Sequence, residues 1–285
     1  MSTPITHVTD EHVKRFHEQG YLVIEDAFDE EEIERMRTEA DHILELIVNS
    51  SLANERKSGR LDLVEGDEGE QQIRKIQPIN DLSLFLSEVS EDDRLLDPMR
   101  AIMDDEPILM EEKLNYKEPL PEPVPLESDR ASSEFPVHND WAYYKAQDYP
   151  RAILSSAIAI DDCTPENGPM RVWPGSHEEH LEHEQVEGLG LEVPADDIDH
   201  DAGEQVLAPA GSVMFFHSLL AHSSSGNESG APRRLMIYSH YPEAAEMGFD
   251  IRNGPGRLRE SPWEWEYQRK KDRGEYEDEF EAPAF

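Results

Sequence analysis

Residues 211–241 read GSVMFFHSLLAHSSSGNESGAPRRLMIYSHY, and this stretch decides the fold. SVMFFH (212–217) and RRLMIYSHY (233–241) are short apolar runs rich in aromatic residues, the composition of strands. SSSGNESGAP (223–232), between His222 and Arg233, is dense in Ser, Gly, Asn and Pro, the residues of turns. The stretch therefore reads as two strands joined by a long loop.

The same alternation reaches back to about residue 106. ILMEEKLNYK (108–117), the stretch around FPVHNDWAYY (135–144), RAILSSAIAI (151–160) and MRVWPG (170–175) are strand-like. PENG (165–168), PGS (174–176) and PAGS (209–212) punctuate them. Many short strands with such turns predict a sandwich or barrel. The N-terminal third is different. Residues 9–20 predict a helix capped by Thr9 and Gly20, and 21–28 a strand. Residues 29–48 predict a long amphipathic helix with Ile33, Met36, Ala40, Ile43, Leu44 and Ile47 on one face. The charged residues 53–72 predict a mobile loop, and 91–103 a helix interrupted at Pro98. The expected class is mainly β with flanking helices (α+β). One domain is expected over 1–260, then a charged tail over 261–285. In that tail Trp263 and Trp265 would dock a helix, and the last dozen residues would be loose.

His138 and Asp140 flank Asn139 in a strand-like stretch, and side chains two apart on a strand share a face. An imidazole and a carboxylate side by side need a third ligand, and His222 is the best candidate. Two His and one carboxylate on one face of an iron leave three positions open. Arg233 follows His222 by eleven positions across the turn-rich loop, which can bring it beside the metal. Its planar fork grips a carboxylate bidentately, and Ser224 is a second candidate for the same carboxylate. His177, His180 and His183 form another cluster, weighed as a metal site against a solvated acidic helix. His217 reads as a barrel residue near the site, not a ligand.

The net charge is -38, with 64 Asp and Glu against 26 Lys and Arg. That excludes nucleic acid and anionic membrane as partners, since both need a basic surface. The acidity is spread along the chain and suits a high-salt cytoplasm, where screening is strong. Cys163 is the single cysteine, so no internal disulfide can form. No stretch is long and apolar enough for a membrane helix, so a soluble, cytoplasmic protein is expected. Arg74, Lys75, Arg130 and Lys145 are scattered and form no dense basic patch in the sequence.

Four stretches resemble the phytanoyl-CoA dioxygenase family of Fe(II)- and 2-oxoglutarate-dependent oxygenases. They are QGYLVIEDAF (19–28), VHNDWAYY (137–144), IDDCTPENGPMRVWPGSH (160–177) and residues 211–241. The resemblance implies a double-stranded β-helix, a jelly-roll-like, cupin-like barrel with the metal in its mouth. It implies Fe(II) on His138, Asp140 and His222, and 2-oxoglutarate on Arg233. Tyr116 and Lys117 are further implied contacts, although Glu118 follows Lys117 where the family often has prolines. Because Asp140 is present, the resemblance implies a hydroxylase and not a halogenase. Its partners would be dioxygen and a small-molecule or lipid-derived substrate, with succinate and CO2 released. Two alternatives stand beside it: a cupin-like metalloenzyme that does not use 2-oxoglutarate, and a non-catalytic ligand-binding barrel.

Overall fold

The computed structural model describes residues 8–66, 68–79, 81–130, 132–247 and 262–283. The expected boundary between 260 and 261 lies outside them. Helix α1 (Asp10–Gln19) starts on Thr9, whose hydroxyl accepts from the His12 N–H, and Gly20 ends it at φ 83. Strand β1 (Tyr21–Ile24) follows. It stops short of 28 because the chain turns through Asp26 at φ 54. Asp29 and Glu32 form a capping box at the start of α2 (Glu30–Ala53). The helix outruns its expected end at 48 because the Ser50 and Ser51 hydroxyls donate back to the Ile47 carbonyl, which satisfies them inside the core. All six residues of its predicted apolar face are buried. Truncating one such side chain, Ile43→Ala, would cost ~2–5 kcal/mol.

The loop expected over 53–72 is instead largely strand. β2 (Leu61–Glu65) and β3 (Gln71–Ile76) pair as a hairpin. Leu61, Leu63 and Ile73 are core residues. The charges that suggested a solvated loop bond to each other instead, Arg74 donating to Asp62 at 2.8 Å. After α3 (Leu84–Val89) comes α4 (Asp93–Met103), which runs through Pro98 without a break. The burial of Leu95, Leu96, Met99 and Ile102 holds it across the lost hydrogen bond.

The barrel comprises β4 (Pro107–Pro119), β5 (Phe135–His138), the short helix α5 (Trp141–Tyr144) and β6 (Leu154–Ala159), then β7 (Met170–Val172), β8 (Glu184–Val186), β9 (Gly190–Glu192), β10 (Glu204–Gln205), β11 (Val213–His217), β12 (His222–Ser224) and β13 (Leu235–Pro242). A seven-stranded sheet has the order β1-β11-β6-β13-β4-β3-β2, and a four-stranded sheet the order β10-β7-β12-β5. All pairings between these strands are antiparallel. Period-2 alternation splits the large sheet's side chains. Phe215, Met236 and Ile158 join α2 in one core, whereas Phe216, Ile237 and Ala157 meet Met170 and Val172 of the small sheet in another. The two sheets thus close into the expected double-stranded β-helix.

Helix α6 (Pro262–Asp272) packs on α2, not on the barrel. Tyr267 and Glu264 are its buried residues, while Trp263 is half-buried under the Arg56 guanidinium. The residues after it are held. The Asn49 amide donates to the Phe280 carbonyl at 2.8 Å, and its oxygen accepts from the Glu279 and Phe280 N–H groups. No sequence period announces such a tie.

Candidate metal centre

The small sheet brings His138 and His222 together. They are opposite each other on antiparallel β5 and β12, with ring centroids 4.3 Å apart. Each ring is fixed through Nδ1 by a carbonyl two residues earlier, Pro136 at 2.7 Å and Leu220 at 2.9 Å. A proton on Nδ1 serves those contacts and leaves both Nε2 lone pairs free to converge. Burial, then the neighbouring His222, pulls His138 down to about 3, so its imidazole is neutral.

Asp140 reaches the same point by a different route from the one expected. Its Oδ1 lies 3.8 Å from each Nε2. Yet β5 ends at His138, and Asp140 has helical angles of φ -61 and ψ -32. A turn, not strand alternation, aims the carboxylate. Asn139 makes that turn, its side-chain oxygen accepting the Ala142 N–H at 3.1 Å, while the Trp141 N–H donates to the Ser218 carbonyl. Burial opposes ionisation of Asp140, but Lys113 foremost, with both histidines and Lys75, holds its carboxyl below the usual range. Asp140 Oδ2 is buried and has no hydrogen-bond partner among the described residues. The three ligand atoms lie within 4.8 Å of one another, the one such group among the described residues. The donor set fits a divalent iron: two imidazoles and one carboxylate, all three residues lining a cavity of about 430 Å3.

Arg233 lines the same cavity, just before β13. Its side chain is 1% exposed. One terminal nitrogen donates to the Gly168 carbonyl at 2.8 Å, but Nε and Nη1 have no partner among the described residues. Burial pulls this guanidinium below its ordinary value. Gly168 sits at φ 71, and a Cβ there would meet the Ser225 carbonyl oxygen at 2.5 Å, so glycine is required where this backbone passes Ser225. Arg234 points the other way and is held by Asp161 and Asp41. Residues 16–235 match the family model described as Phytanoyl-CoA dioxygenase (PhyH). The chain belongs to the phytanoyl-CoA dioxygenase family.

Relatives agree with that membership. The ectoine dioxygenase of Sphingopyxis alaskensis is 26% identical over 257 residues, covering 83% of this chain and 77% of the relative. A methylphosphonate hydroxylase from Gimesia maris is 32% identical over 146 residues, covering 51% of this chain and 49% of the relative. The crystal structure of EctD from S. alaskensis with 2-oxoglutarate and 5-hydroxyectoine shares the fold. Its TM-score is 0.63 at 22% identity, covering 86% of this chain and 80% of that one. This phytanoyl-CoA dioxygenase family member is an Fe(II)- and 2-oxoglutarate-dependent dioxygenase acting on a small molecule. The alternatives of a cupin-like enzyme without 2-oxoglutarate and a non-catalytic barrel give way to it.

Several expected positions are corrected. Ser224 lines the cavity beside His222 and Ser223, as expected. Tyr116 does not. Lys113 and Asn115 face the cavity from β4, so Leu114 and Tyr116 face the helices, and the Tyr116 hydroxyl donates to the Ala40 carbonyl at 2.8 Å. Lys117, at φ 41, is fully buried and donates to the Ser225 carbonyl, behind the cavity wall. Burial holds its amine far below the ordinary lysine value. His180 and His183 form neither a metal site nor a helix. They stack 5.6 Å apart, and His183 Nε2 accepts the Asn139 N–H at 3.0 Å, bracing the turn that carries Asp140. His217 stays outside the triad, its Nδ1 taken by the Leu219 N–H.

Sequence reasoning missed the basic side of this oxygenase's cavity. Arg74, Lys75, Lys113 and Arg130 all line it, although three of them had looked scattered or remote. Arg74 is an extra residue in β3, since Ile73 pairs with Leu63 and Lys75 with Asp62 on β2. This bulge lets two adjacent side chains, Arg74 and Lys75, reach one face. Lys145 does not join them. It pairs with Glu182 at the surface.

Proposed function

We propose that His138, Asp140 and His222 hold the iron of this dioxygenase and that Arg233 receives the far carboxylate of 2-oxoglutarate. The observation that carries this reading is that Arg233, which lines the cavity that holds the triad, is buried with two nitrogens that have no hydrogen-bond partner among the described residues. A buried guanidinium with two idle donors is costly until a planar acceptor arrives. Ser224, on the same strand face as His222, adds a hydroxyl to that acceptor. Bound Fe(II) and 2-oxoglutarate supply the oxidation, in which dioxygen yields succinate, CO2 and the hydroxyl of the product.

The chain's own residues bind, orient and exclude water. The carbonyls of Pro136 and Leu220 fix the histidine tautomers, and Asn139 sets the Asp140 carboxylate. Phe216, Ile237 and Met170 form the apolar wall. The hairpin β8–β9 covers one side, with the Leu191 N–H donating to the Tyr143 hydroxyl and Leu189 on the cavity surface. The names of the relatives, ectoine dioxygenase and methylphosphonate hydroxylase, support a compact polar substrate. One oxygenase domain over 1–260, followed by a charged tail over 261–285, is the arrangement this reading takes. The net charge of -38 supports work in a salt-rich cytoplasm.

The test is an anaerobic titration with Fe(II) and 2-oxoglutarate, following the weak visible charge-transfer band. The wild type should develop the band, and Arg233→Ala should need far more 2-oxoglutarate to reach it. A band that develops equally in both proteins would overturn the assignment of Arg233. Iron binding without any band would overturn the co-substrate.

A further inference from the structure

The cavity is cationic in a strongly anionic protein. Beyond the triad and Arg233, its charged lining consists of Arg74, Lys75, Lys113, Arg130 and one acid, Glu111. Asp62 and Asp129 are acids of the adjoining cavity, Asp129 paired with Lys57. Asp62 pairs with Arg74 at 2.8 Å and lies 3.6 Å from Arg130. Glu111 pairs with Lys113 at 2.9 Å. Lys75 forms no ion pair among the described residues, and its amine donates only to Gln77 at 3.3 Å. Arg130 makes a backbone contact to Gly188, yet its Nε has no hydrogen-bond partner among the described residues.

The co-substrate does not need these charges. A divalent iron with Arg233 carries three positive charges. Asp140 with dianionic 2-oxoglutarate carries three negative ones. That set is neutral by itself, so the surplus at Lys75 and Arg130 awaits another anion. The surplus is costly when empty. Burial foremost, then the neighbouring Lys113, holds the Lys75 amine below its ordinary value. The position also suits a substrate. Lys75, Gln77 and Arg130 form a wall shared with a second cavity of about 330 Å3 beside the first.

We propose that the molecule hydroxylated here carries a compact anionic group, a carboxylate or a phosphonate, seated between Lys75 and Arg130, with its remainder directed toward the triad. The proposal rests on the metal and co-substrate assignment above and names the substrate class of that site. Lys75 is a specificity residue and Arg130 its partner. Arg130 also ties the anion seat to the β8–β9 hairpin through Gly188.

The test uses the anaerobic holoenzyme loaded with Fe(II) and 2-oxoglutarate. Butyrate, propylphosphonate and butyramide serve as probes in calorimetric titrations, since the natural substrate is unidentified. The two anions should bind at least about tenfold more tightly than the amide, a difference of about 1.4 kcal/mol. Lys75→Met should erase that preference and Lys75→Arg should retain most of it. The 2-oxoglutarate titration of the visible band should be the same in Lys75→Met as in the wild type. Equal binding of the amide, no binding of either anion, or a preference that survives Lys75→Met would overturn the proposal. So would a weakened 2-oxoglutarate titration in Lys75→Met, which would place Lys75 in the co-substrate site. A wild type that shows no band at all would fail the cofactor assignment, an outcome separate from all of these.

Discussion

His138 and His222 are direct cross-strand partners, so a single antiparallel pairing between β5 and β12 sets the spacing of two ligands. Asp140 joins them from the turn that follows. The triad thus depends on one strand register and one turn. Removing either outer member should abolish function. Asp140→Ala and His222→Ala should each lose iron and 2-oxoglutarate turnover, read by metal analysis and succinate formation. Normal turnover in either variant would refute the ligand assignment.

Gly168 offers a test of Arg233 that leaves the arginine in place. A methyl at Gly168 would collide with the Ser225 carbonyl and shift the carbonyl that steadies Arg233. Gly168→Ala should therefore raise the 2-oxoglutarate KM about tenfold or more, the scale of one charge-assisted hydrogen bond. Steady-state kinetics at saturating iron would show it.

Glu118 is buried, and neither carboxylate oxygen has a hydrogen-bond partner among the described residues. Burial, only partly offset by Arg234, pushes its carboxyl up to about 8. The folded protein therefore keeps a proton that the unfolded chain releases near pH 4.5. Stability from this group falls as pH rises between those values, by on the order of a few kcal/mol, and then levels off. Glu118→Gln should match the wild type at low pH and exceed it above pH 8, as measured by thermal unfolding across that range. A constant difference at all pH values would refute it.

The tie between Asn49 and the C-terminal residues predicts a local effect. Asn49→Ala removes one donor and one acceptor serving Glu279 and Phe280, at ~1–3 kcal/mol for each buried group left unsatisfied. Limited proteolysis should then cut within 273–283, a region that stays intact in the wild type.

The charge of -38 predicts a steep salt response. Molar salt shortens the Debye length to roughly 3 Å and relieves self-repulsion. Each kcal/mol recovered should raise the unfolding midpoint by about 2–4 °C. A midpoint independent of salt would remove the case for a salt-rich cytoplasm.

Much of the site was legible because its signals are local. His-x-Asp, the second histidine after an apolar strand, and an arginine beyond a turn-rich loop are all short-range patterns. The helical face of α2 was equally plain. What was hidden depends on partners distant in the chain. Asp62 and Arg74 looked like loop charges because nothing local shows that they pair across a hairpin. Tyr116 looked like a co-substrate contact because the sequence does not say which face of β4 meets the helices. Asp140 was placed correctly beside His138 for the wrong reason, since the turn is made by Asn139 and braced by His183.

The bulge at Arg74 carries a consequence for how this scaffold can diversify. The proposed iron ligands are carried by the small sheet and the turn after it, whereas Arg74 and Lys75 stand on β3 and Lys113 on β4 of the large one. Losing the one extra residue in β3 would turn one of two adjacent cations away from the cavity while leaving β5 and β12 untouched. New substrates can be acquired by shifting the register of β3, with no change to the residues proposed to hold the iron.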